Sequence, residues 1–136
     1  MYREEKDKKE LIQQLKENLI KEESIIFAYL HGSFLNEEEF NDVDIALYLD
    51  EKTAKEIEPV DFELSLSLKI EKSLKVPVDI KLLNYAPLSF RYQVTRGYLL
   101  VNRLTSKREE FLCKTWGDYF DFQPIARIYL KEVLNA

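Results

Sequence analysis

Asp42 and Asp44 stand one residue apart in the run NDVDIALYLD, and Asp79 stands in VPVDIKLL. Residues two apart on a strand project from the same face. A strand over 43–49 therefore puts Asp42, Asp44, Ala46 and Tyr48 on one side and Val43, Ile45, Leu47 and Leu49 on the other, the core side. Carboxylates this close repel, and each raises the other's pKa unless a cation compensates. Mg²⁺ prefers oxygen ligands and takes one or two protein carboxylates, with water and substrate phosphates completing its shell. Asp79 repeats the arrangement: Val76, Val78, Ile80 and Leu82 point one way, and Asp79 points the other with Pro77 and Lys81. If its strand lies beside the first, three carboxylates gather. Such a set holds two metal ions, or holds one and leaves a general base. The structural alternative is that Asp42 caps a turn and Asp79 is a solvated edge residue.

Gly32-Ser33 follows directly on a β-branched and aromatic run, IIFAYLH (25–31), with a helical turn expected behind it at FLNEEEF. Glycine lets the backbone approach a phosphate closely. A serine hydroxyl and free amides at a helix N-terminus hold an anion. Alone, Gly-Ser is a common turn. Followed within one short loop by a strand-borne Asp-x-Asp, it describes a phosphate grip facing a metal clamp.

These residues need a frame. Leu11, Leu15 and Leu19 at spacing four mark an amphipathic helix over 4–22. Strands are expected at 25–31, 43–49, 76–83 and 98–102. Pro77 makes the third an edge or a strand start. A helix over 59–74 opens on Pro59. A short helix covers 86–95, and 106–134 is mostly helical with a break near Pro124. The pattern is an α/β (α+β) domain around one sheet, and 136 residues suggest a single domain over 1–136.

Composition narrows the function. One histidine and one cysteine leave no zinc site of the usual kind, and only His31 is available for a Ser-His-Asp triad. The unpaired Cys113 favours a reducing cytoplasm. No stretch reaches a membrane span, and Met1 to Glu10 is too charged for a secretory signal. The net charge of −5 argues against a nucleic-acid binder held mainly by phosphate contacts. Residues 1–80 carry 20 acidic and 11 basic side chains, whereas 81–136 carry 5 and 9. The first half is suited to collecting cations and the second to meeting phosphates or an acidic partner; uneven sampling of an ordinary surface is the alternative.

Taken together, HGSFLNEEEFNDVDIALYLD resembles the signature of the minimal nucleotidyltransferase (DNA polymerase beta-like) fold: strand, Gly-Ser, helix and loop, strand-borne Asp-x-Asp, then a third Asp on a neighbouring strand. That fold is a small mixed sheet with flanking helices and, here, a C-terminal helical segment. The runs VPVDIKLLNYAPLSFRYQVTRGYLLVNR and DYFDFQPIARIYLKEVLNA look more narrowly like the MntA family, antitoxins and protein adenylyltransferases paired with HEPN-domain toxins (HepT). The resemblance implies that Gly32 and Ser33 grip the triphosphate of ATP. It implies that Asp42 and Asp44 bind Mg²⁺, and that Asp79 completes the metal site and deprotonates the acceptor hydroxyl. It further implies AMP transfer to a tyrosine of the toxin within a hetero-oligomer, without direct nucleic acid or membrane contact. Residues 34–41 form a shorter loop than the family usually has, and they lack its second glycine and arginine.

Two other functions are compatible with these residues. One is a non-catalytic antitoxin that occludes its toxin, which the short loop favours and the intact carboxylates oppose. The other is a small-molecule nucleotidyltransferase, for whose substrate domain the chain leaves little room. Around the site, His31 ends its strand at the mouth and Tyr48 shares the carboxylate face. Lys81, Arg91, Arg96 and Arg103 are candidate phosphate or partner contacts. Trp116, Tyr119, Phe120, Phe122 and Tyr129 divide between core and partner surface, and Cys113 is expected to be a small buried apolar residue.

Overall fold

The computed structural model describes residues 5–32 and 42–122. The expected turn over 34–40, the break at Pro124, Tyr129 and the side chain of Phe122 lie outside the described residues.

Helix α1 (Glu5–Ile20) forms where leucines recur once per turn, and Leu11, Leu15 and Leu19 are completely buried. Each such leucine contributes about 1.5–3 kcal/mol by leaving water. Strands β1 (Ile25–His31) and β2 (Val43–Leu49) follow with the expected bounds. A six-residue helix α2 (Glu51–Glu56), which hydrophobic periodicity does not announce, comes next. Asp50 caps it, accepting from the Thr53 backbone N–H at 3.0 Å and from its hydroxyl at 2.7 Å. Helix α3 (Pro59–Leu74) starts on its proline, with the Glu58 side chain accepting from Asp61 N, and ends at Lys75 in the left-handed region. Then come β3 (Val78–Leu82), α4 (Leu88–Val94), β4 (Tyr98–Asn102) and α5 (Thr105–Phe122).

The sheet runs β3-β2-β1-β4, with β2 and β3 parallel and the other pairs antiparallel. It is the mixed sheet the sequence predicts. Helices α1 and α3 cover one face, packing on Leu30, Val43, Ile45, Leu47 and Ile80. The other face is also packed. Phe27, Tyr29, Ala46, Leu83 and Val94 form a second apolar layer there with Tyr48, Phe90 and Phe111 from the surrounding elements. Strand alternation identifies which residues share a face, and it is α4 and α5 that decide how much of that face is covered.

Two side-chain devices finish the sheet. Asn84, just beyond β3, brackets Leu49: its carbonyl accepts from Leu49 N and its amide donates to Leu49 O, both at 2.9 Å. It replaces the strand neighbour that the end of β2 lacks. On the outer edge of β3, Glu71 accepts from Val78 N and Glu63 accepts from Leu82 N, both at 2.8 Å. Two amides that would invite a foreign strand are thereby closed.

Candidate active site

Three residues line up across three strands. His31 on β1 is opposite Asp44 on β2, and Asp44 is opposite Asp79 on β3. Directly opposed residues on paired strands share a face, so an imidazole and two carboxylates form one row. Asp42 immediately precedes β2 and adds a third carboxylate beside Asp44. The row lies at the end of the sheet where β1 finishes and β2 and β3 begin.

Gly32 turns the chain away from β1 with φ +82°, a conformation that a side chain would strain. A Cβ at Gly32 would collide with Asp44 Oδ2 and stand 3.2 Å from its Cγ. The backbone is thus brought against the central carboxylate, where phosphate oxygens and a cation held by that carboxylate would meet peptide groups.

Electrostatics marks the same spot. Burial holds the Asp44 carboxyl above its usual range, and the charges of Asp42 and Asp79 push it the same way. Burial pushes the His31 imidazole down, with Asp79 partly opposing it. The His31 ring stands edge-on against Phe90, 5.5 Å between centroids, and its Nε2 is buried without a hydrogen-bond partner. Asp79 is more open, with 53% of its side chain exposed and Lys81 Nζ 4.0 Å from its Oδ1.

The donor set is all carboxylate oxygen, which suits a hard cation such as Mg²⁺. Among the described residues, no three His, Cys, Asp or Glu side chains converge into a ready-made metal cage. The carboxylates offer an open, partial ligand set, the kind that phosphates and water complete.

Ser33 lies outside the described residues. Of the basic candidates, only Lys81 stands at a carboxylate among the described residues. Arg91 lies over the Phe111 ring, Arg96 lies over Tyr92, and Arg103 donates to the Ile20 carbonyl. Tyr48 shares the carboxylate face, where it stacks on Phe27 at 4.9 Å and packs against Phe111 at 5.2 Å. In the aromatic tail, Tyr119 stacks on Tyr92 at 3.8 Å, and Trp116 donates to the Thr95 hydroxyl. Cys113 is exposed rather than buried, because it falls on the outer flank of α5. The sequence reading missed Phe90, which fixes the imidazole, and Glu63 and Glu71, which hold the Asp79 strand. Nothing local signals the glutamates, since their role exists only once α3 lies along β3.

The family model for polymerase beta, nucleotidyltransferase matches residues 13–106. No curated protein matches the chain in sequence. Among solved structures, the fold is similar to a chain from tri-AMPylated Shewanella oneidensis HEPN toxin in complex with MNT antitoxin, with 22% identity and TM-score 0.62 over 93% of this chain and 95% of that one. It is also similar to a chain of the toxin–antitoxin MntA–HepT, at 21% identity and TM-score 0.61 over 93% and 96%. A third structure, a toxin–antitoxin with AMP-PNP, aligns at 22% identity and TM-score 0.65 over 93% and 98%. Identities this low speak for a shared fold. The family match spans most of the chain and includes the whole row of His31, Asp44 and Asp79, so the chain belongs to the polymerase beta nucleotidyltransferase family.

Proposed function

We propose that this chain is a Mg²⁺-dependent protein adenylyltransferase that works as a cytoplasmic antitoxin. It transfers AMP from ATP to a tyrosine of a HEPN-domain toxin bound in a hetero-oligomer, and so silences it. The observation that carries this reading is Asp44, flanked by Asp42 and Asp79, with the Gly32 backbone pressed against it. The fold neighbours with a tri-AMPylated toxin and with AMP-PNP favour the same reading.

Asp42, Asp44 and Asp79 would hold the metal, which would draw charge from the triphosphate. Gly32 keeps the chain close enough for peptide groups to hold phosphate oxygens, and Ser33, next in sequence, would add its hydroxyl. Asp79, the open carboxylate of the row, is the one an incoming hydroxyl meets. It accepts the tyrosine proton as the phenolic oxygen bonds to the α-phosphorus. The bond from that phosphorus to the bridging oxygen breaks, and pyrophosphate leaves. This direct displacement needs no covalent enzyme intermediate.

Intact mass spectrometry of the HEPN-domain protein encoded beside this chain, co-expressed with it, tests the reading. Mass gains of AMP units are expected, and they should vanish with Asp42→Ala/Asp44→Ala. Co-purification without any mass gain would instead establish occlusion. Neither association nor mass gain would return the small-molecule reading.

A further inference from the structure

The row ends at β1, and a cavity begins beside it. Tyr29 stands two residues before His31 and so shares its face of the sheet. Leu99 of β4 is opposite Tyr29. Helix α5 reaches them through Arg108, whose Nη1 donates to the Tyr29 hydroxyl at 3.2 Å. The cavity between these elements measures about 530 Å³, and Leu112, Trp116 and Gly97 also line it. Small-ligand sites commonly enclose about 300–1,000 Å³.

Gly97 joins the cavity to the row. Leu30 is opposite Tyr98, which brings Gly97 to the end of β1. A Cβ at Gly97 would collide with the Leu30 carbonyl oxygen and stand 3.1 Å from that of Val94 and 3.4 Å from the His31 Cβ. Its lack of a side chain lets the α4–β4 turn lie directly on His31, one residue before the chain turns at Gly32 onto Asp44. A group held in the cavity therefore neighbours the carboxylates.

The lining has a definite chemistry. Trp116 is an aromatic wall of fixed orientation. Its indole N–H donates to the Thr95 hydroxyl at 3.0 Å, and that hydroxyl donates in turn to the Arg91 carbonyl at 2.8 Å. Arg108 brings a guanidinium, whose Nε is buried without a hydrogen-bond partner. Leu99 and Leu112 supply apolar surface, and no carboxylate stands among the described lining residues. The row is the reverse, with carboxylates that suit a cation. A flat, uncharged ring with acceptor atoms suits the cavity, and a metal-bound polyphosphate suits the row. A purine nucleotide carries both, joined through one ribose.

We propose that the cavity holds the nucleoside of the nucleotide whose triphosphate lies on the row. The purine packs against Trp116 and the two leucines, and Arg108 donates to its acceptor atoms. The nucleoside then lies on the β4 side of Asp44, and the acceptor hydroxyl arrives from the opposite side, at Asp79. This role rests on the reading of the row as a nucleotidyltransferase site.

Trp116 is the only tryptophan of the chain, and Cys113, an exposed residue that lines the cavity, is its only cysteine. Both are reporters for the test, in which the full chain is titrated with Mg-ATP and with Mg-tripolyphosphate, which lacks the nucleoside. Calorimetry should show both binding, ATP about tenfold or more tightly. ATP alone should change Trp116 emission and slow the reaction of Cys113 with a thiol reagent. Trp116→Ala removes the wall, and Leu112→Tyr narrows the cavity while leaving the Trp116–Thr95 bond in place. Each should lower ATP affinity about tenfold and leave tripolyphosphate affinity unchanged, with circular dichroism checking the fold. The wild-type titrations decide the matter even where a variant unfolds. Equal affinity for the two ligands, or unaltered emission and thiol reactivity with ATP bound, overturns the cavity's role and leaves the row standing. Binding of neither ligand overturns both. A chain that meets every expectation here yet adds no AMP to the HEPN-domain protein keeps the nucleoside cavity and loses the protein adenylyltransferase reading.

Discussion

Gly32 and Asp44 are locked together: the glycine's missing side chain is the space that the carboxylate occupies. Gly32→Ala adds both a collision with Oδ2 and the left-handed strain of φ +82°, which costs an L-residue about 1–2 kcal/mol. The variant should unfold at lower urea concentration and bind Mg-ATP more weakly. Unchanged binding in calorimetry would separate the glycine from the phosphate grip.

Asp44 ionises against burial and two like charges. Its folded pKa lies above the unfolded one, so its ionisation opposes folding once the pH exceeds the unfolded value near 3.8. Asp44→Asn should therefore raise Tm at neutral pH in metal-free buffer, with the gain shrinking as pH falls toward 3.8. Mg²⁺ should raise Tm of the wild type more than that of the variant. A variant melting below the wild type throughout would contradict the crowding of charge.

For His31 the sign is reversed. Its folded pKa is depressed by burial, so the neutral ring supports folding at higher pH. That contribution is lost as pH falls from about the unfolded value of 6.5 toward the lower folded one. His31→Phe, which keeps a ring against Phe90, should flatten the stability profile over this window. Chemical denaturation across pH 5 to 7 reads the slope.

Asn84→Ala removes both hydrogen bonds to Leu49 and leaves that peptide part-buried without them. The expected loss is about 1–3 kcal/mol, seen in the denaturation midpoint. Asn84→Asp retains only the acceptor and should fall between.

Glu63→Ala/Glu71→Ala reopens two amides on the outer edge of β3. The variant should self-associate with rising concentration in light scattering, whereas the wild type should not gain association through this edge.

The carboxylates were legible in the sequence because an Asp-x-Asp on an otherwise apolar strand has few structural uses. The bounds of β1, β2, β4 and α3 followed from period and from Pro59. Helix α2 was not legible, since it buries only Ala54 and rests on the Asp50–Thr53 cap. The cover over Tyr48 was not legible for a different reason. Alternation put the tyrosine beside Asp44 correctly, but Phe111 comes from α5, far along the chain, to cover it. The row itself depends on register between strands, two of which, β2 and β3, are separated by helices, and no local pattern encodes that register.

Strand β3 is the last in the sheet, and it carries the row's outermost carboxylate. Among the described residues no further strand lies beyond Asp79, and the edge on that side is bordered by Glu71 and Glu63 of α3. Under the proposed function, the marginal Asp79 would face the protein acceptor and the inner Asp44 the nucleotide, an order of substrates set by the order of strands.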